Sequence, residues 1–204
     1  MPSEVVSEFI LIIAVVVIGV AVLGFTFAFL TPQIAFSTAE NQASNLASSS
    51  SVSAGPILVY TKPSPTPPPP TPTTIGSFVS ELYNPAFNGT LYILVFEAPS
   101  VAQPSIGFIT PTPTSFITYE VYCPNIVNGK TTQASSVTKS LTIYDVNGKV
   151  LFNGLATLYQ VKVGTPVTID ITNPNPNDVI VVWYIVNEGN FYFRIGFTYT
   201  QVVQ

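Results

Sequence analysis

Phe9–Leu30 reads FILIIAVVVIGVAVLGFTFAFL, 22 consecutive residues without a charge. As a helix rising 1.5 Å per residue, the run reaches about 33 Å, enough to cross the hydrocarbon core of a bilayer. Its apolar residues fall on every side of such a helix, so it must be covered all round, by lipid or by neighbouring helices. A cleavable secretory signal fits less well. No positive stretch precedes the run, the apolar part is too long, and no A-x-A site follows. The run is therefore expected to be retained.

Helical spacing continues beyond it. Ala35, Ala39, Ala43, Leu46 and Ala47 recur at three- and four-residue intervals through IAFSTAENQASNLASSSS. Pro32 interrupts this stretch; its ring removes the bond to the Ala28 carbonyl and bends or loosens the helix without ending it. Gly55-Pro56 supplies the stop. The element would then hold about 45 to 50 residues and reach on the order of 70 Å, more than one small globule can cover. Gly24 and Ala28 set small residues four apart on one face, which lets helices approach closely. The flank carries Glu4 and Glu8 instead of the basic residues usual beside a single-pass anchor.

After Pro56 the period changes to two. In FYFRIGFTYT, Phe191, Phe193, Ile195, Phe197 and Tyr199 fall on one face, with Tyr192, Arg194, Gly196, Thr198 and Thr200 on the other. Val167, Ile169 and Ile171 alternate with polar residues, as do Ile117, Tyr119 and Val121. LYILVF (91–96) and VIVVWYIV (179–186) are continuously apolar and predict central strands covered on both sides. Asn147-Gly148 predicts a type I′ hairpin, both residues tolerating positive φ. Some eight to ten strands follow from this count. The expected fold class is α+β: a long N-terminal hydrophobic α-helix (1–54, filament-core or transmembrane-like), then an immunoglobulin-like antiparallel β-sandwich (55–204). Its Pro-rich loop 62–74, KPSPTPPPPTPTT, reads as a stiff polyproline spacer that can carry O-linked sugars.

Composition narrows the chemistry. Only 8% of the 204 residues are charged, against roughly 25% in an ordinary soluble domain. Six basic residues against ten acidic leave a net charge of -4, which argues against a nucleic-acid partner. With no His and one Cys, the chain cannot assemble a Ser-His-Asp triad, a His-ligated metal site or an internal disulfide. No catalytic residue, metal or cofactor is expected. Asn88-Gly89-Thr90 is a sequon with an allowed middle residue and marks Asn88 as an acceptor for an N-linked glycan. Cys123 reads as a small buried hydrophobe. Asp170 and Asp178 flank NPNPN, but the carboxylates are few and the prolines stiff for a calcium loop. Glu97, Glu120 and Asp145 have nothing in their spacing to make a glycosidase pair.

SEFILIIAVVVIGVAVLGFTFAF, followed by a polar helical half and a β domain, resembles an archaeal type IV pilin, with the related archaellin as near neighbour. The resemblance covers the helix specifically and the β domain by class. It implies a homopolymer: the helix waits in the membrane, is passed to a pilus assembly platform, and ends in the core of an extracellular filament for adhesion or twitching motility that meets surfaces or other cells. In this family a peptidase removes a short basic leader before the apolar run, and a glutamate near the new N-terminus aids assembly. Glu8 is the best match and Glu4 the second; no Lys or Arg precedes either. The rivals are an archaellin of a rotating swimming filament and a single-pass membrane-anchored β-sandwich binding module. The low charge also predicts tolerance of acid and heat, because few groups titrate.

Overall fold

The computed structural model describes residues 2–62, 72–125 and 130–202, and within them not the side chains of 2, 3, 102–104 and 125. Most of the Pro-rich loop 62–74 thus lies outside the described residues. Two compact units divide the chain, Met1–Ala39 and Glu40–Gln204. One helix, α1 (Pro2–Ser48), runs through both and continues across Pro32. It ends earlier than Gly55. Serine hydroxyls take up its last carbonyls: Ser48 and Ser49 donate to Asn45 O, and Ser50 to Leu46 O at 2.7 Å. Helix-end carbonyls lack partners within the helix, so the serine run satisfies them locally and the chain turns at once into a strand.

Among the described residues the second unit has eleven strands: β1 (Ser51–Ala54), β2 (Leu58–Lys62), β3 (Thr73–Tyr83), β4 (Thr90–Ala98), β5 (Tyr119–Asn125), β6 (Lys130–Gln133), β7 (Ser135–Tyr144), β8 (Val150–Lys162), β9 (Val167–Thr172), β10 (Val179–Glu188) and β11 (Phe191–Gln201). A 3₁₀ segment, η1 (Ser100–Phe108), follows β4. One sheet has the order β1-β3-β9-β5-β6, with β2 also on β3. The other closes into a barrel, β10-β11-β7-β8-β4.

The α+β organisation is as expected, but the second sheet is not the open antiparallel half of an immunoglobulin-like sandwich. It closes through a parallel pair, Tyr192↔Ile143 and Phe193↔Tyr144. Register shifts at Tyr184/Ile185 and at Ile143/Tyr144 add the twist that curls a five-stranded sheet onto itself.

β10 is buried from Val179 to Val186, as its unbroken apolar run requires. Its odd residues, Val179, Val181, Trp183 and Ile185, join Leu94, Phe96, Ile143 and Leu158 in the core that fills the barrel. Tyr184 belongs to the opposite face, its hydroxyl 2.5 Å from Ser80 Oγ on β3 of the other sheet. Tyr119 makes a second tie between the sheets, donating to Thr157 O of β8 at 2.7 Å.

Two local expectations are corrected. The β11 stripe does not stay on one face. Tyr184 pairs with Gly196 and Ile185 with Arg194, so Ile195 is an extra residue and the alternation flips behind it. Phe193 and Ile195 are buried, whereas Phe197 and Tyr199 are 38% and 47% exposed and Thr200 is buried in their place. The β7–β8 turn is not type I′ either, since only Gly148 has positive φ (74°). Asp145 organises it: Oδ1 accepts from Asn147 N and Lys149 N, and Gly148 N donates to Asp145 O. An Asx-type turn needs a single left-handed residue.

Candidate assembly helix and its anchorage

Every sequence-predicted assembly residue lies on α1. Glu4 and Glu8 stand one turn apart on one side. Gly24 and Ala28 stand one turn apart on another; at 100° per residue, position 24 lies about 200° around from position 4, so the acidic and small pairs face roughly opposite ways. Within the chain all four are exposed, and a Cβ on Gly24 would meet nothing within 4 Å. The apolar side chains between them are exposed as well, from Val5 at 68% to Phe27 at 68%. By length and composition the helix is able to cross a membrane. Pro32 costs one backbone bond, and hydroxyls nearby lie along the helix, Thr26 Oγ1 donating to Val22 O and Thr38 Oγ1 to Ile34 O.

The last turns of α1 belong to the second unit, where a residue that the pattern reading missed anchors them. Asn84, buried between β3 and β4, places Nδ2 at 3.0 Å from Leu46 O and 2.9 Å from both Ser49 Oγ and Ser50 Oγ. Its Oδ1 accepts from Ala86 N and Phe87 N. One amide therefore organises its own loop and holds the helix end. The Asn-Pro pair at 84–85 signalled the turn, but nothing local signalled the distant helix.

Asn88 of the sequon is exposed in the same β3–β4 connection, two residues before β4 starts at Thr90. Cys123 is half-buried on β5, opposite Thr132, instead of buried; partial burial raises its thiol pKa.

The carboxylates considered for chemistry are engaged with separate partners, although Glu120 and Asp170 stand opposite each other across β5 and β9. Glu97 is buried and bonded to the NPNPN loop, Oε1 accepting from Asn175 N at 3.0 Å and Oε2 from Asn175 Nδ2 at 2.6 Å. Glu120 accepts from Tyr122, whose hydroxyl this bond pushes up to about 12, and Asp145 holds its turn. Asp170 accepts from Ser77. Among the described residues no group of three or more His, Cys, Asp or Glu side chains is placed to hold a metal ion. No protein-family model matches the chain, and no curated protein matches it.

Proposed function

We propose that this chain is the structural subunit of a helical surface filament of the archaeal type IV pilin kind, polymerising through α1. The observation that carries the reading is the all-round apolar exposure of α1 along the 22-residue uncharged run Phe9–Leu30, which demands cover. A membrane supplies that cover before assembly, and α1 of neighbouring copies supplies it afterwards. The opposite-facing pairs suit this second setting: Gly24 and Ala28 admit one close neighbour while Glu8 and Glu4 meet another. A glutamate in such a core has to be paired, for example with a neighbour's amine.

The β domain then forms the outer coat of an extracellular adhesive pilus. Its polarity rests on hydroxyls and amides, with an N-linked glycan at Asn88 and O-linked sugars on the Pro/Thr-rich loop. No cofactor or catalytic step is part of the role. Electron microscopy of shear-released cell material tests it. Filaments whose main protein band is this chain support the reading, and membrane-bound monomers would replace it with the anchored binding module. Rotation of those filaments would make them archaella.

A further inference from the structure

Side chains of unlike chemistry converge at one mouth of the barrel. Arg194, on β11 just before the bulged Ile195, pairs with Ile185 and so faces the barrel side of the sheet. Its guanidinium lies 5.0 Å from the ring centre of Trp183 and 5.2 Å from that of Phe197. Nη1 donates to Gly107 O in η1 at 3.0 Å. A guanidinium has five donors, and this is the one hydrogen bond recorded from it among the described residues. The approach of η1 is close: a Cβ on Gly107 would lie 3.0 Å from the Phe197 ring.

Arg194 lines a cleft of about 360 Å³ with Phe108, Thr110, Asp145, Asn147 and Lys149. Two of the chain's six cations therefore share one cleft with a single carboxylate. That carboxylate is partly committed, since Asp145 Oδ1 accepts two turn amides. Phe108 is 86% exposed at the edge of the cleft, with Asn147 and Lys149 also exposed. Burial pulls the Arg194 pKa below its ordinary value, with the charge of Asp145 opposing.

A half-buried guanidinium with donors to spare gains most from a planar carboxylate, which it binds bidentately. An exposed aromatic ring beside amide and hydroxyl groups suits a ligand with one apolar face and a polar rim. Two cations are too few for a nucleic-acid backbone. We propose that this cleft binds a carboxylated sugar, a uronate-type unit of an acidic glycan. Arg194 and Lys149 take the carboxylate, Phe108 stacks on the sugar ring, and Asn147 and Thr110 bond its hydroxyls. The site needs only the folded β domain, so it stands or falls separately from the filament reading.

Trp183 is the chain's single tryptophan and touches Arg194, so its emission reports occupancy. The full chain in neutral detergent is titrated at constant ionic strength with D-glucuronate, D-glucose and acetate. Glucuronate should give a saturable change, acetate a midpoint weaker by about tenfold, and glucose none. Arg194→Gln should abolish the response, and Lys149→Gln and Phe108→Ala should each weaken it several-fold. No saturable response to glucuronate overturns the proposal. So does an equal midpoint for acetate, which would leave a plain anion site. Should Arg194→Gln fold poorly, the two exposed substitutions decide: midpoints unchanged in both overturn it.

Discussion

Asn84 Nδ2 donates to Leu46 O at 3.0 Å, tying the end of β3 to the last turn of a helix 38 residues earlier in the chain. The same amide also meets Ser49 and Ser50, and its Oδ1 accepts from Ala86 N and Phe87 N, so two backbone donors and a tie to the helix end depend on one side chain. Leaving a buried donor or acceptor unsatisfied costs about 1 to 3 kcal/mol. Asn84→Ala should therefore lower the stability of the β domain by about 2 to 3 kcal/mol, read as an earlier urea midpoint. Amide exchange at 46–50 should accelerate. Unchanged exchange there would mean that the serine hydroxyls hold the helix end unaided.

The fold should be more sensitive to alkali than to acid. Burial raises the hydroxyl pKa of Tyr119 and Tyr184 beyond the usual range, and the hydrogen bond to Glu120 pushes Tyr122 up to about 12. A raised pKa means that the native state favours the protonated group. The stability this supplies is complete below the ordinary value of 10.0 and is lost as pH rises through about 12 and beyond. Tyr122 is too exposed to contribute much, so the two buried tyrosines carry the effect. On the acid side, burial raises the Glu188 carboxyl pKa, so protonating it favours the fold. Circular dichroism should show native structure near about pH 3 and its loss in strong alkali; the reverse order would refute the expectation.

Assembly and stability should separate along α1. Gly24→Leu fills the side proposed for close helix contact yet meets nothing within the chain. It should cut filament yield severely while the urea midpoint of the β domain stays put. Glu8→Ala should likewise reduce filaments without unfolding the domain. Normal pilus counts in both variants would remove these residues from the assembly role.

Asn88 is exposed and lies in an irregular connection, so a transferase has access to it. Intact-mass measurement of the cell-derived protein should show a glycan mass that Asn88→Gln removes, with little change in thermal midpoint. An unmodified Asn88 peptide would end the assignment.

The legible parts of this protein were those that depend on composition along one segment. The apolar run, the continuation through Pro32 and the doubly covered β10 all follow from which residues stand in sequence, because solvent avoidance and local backbone preferences act within a few residues. The β11 stripe shows where that stops. Its alternation was visible, but one extra residue opposite the Tyr184–Ile185 step moved Phe197 and Tyr199 to the other face, opposite Trp183 and Val181, where they stay exposed. Asn84 signalled only a turn and Arg194 only one face of a strand, since their contacts depend on a helix end and an indole brought close from elsewhere in the chain. By itself the sequence determined a helix that needs company and a β domain poor in charge. Only the tertiary structure decided that one sheet closes into a barrel, that Asn84 grips Leu46, and that two scarce cations meet beside Phe108. Hydrogen bonds and ring contacts reach only a few ångströms, and the fold alone sets which distant residues come that near.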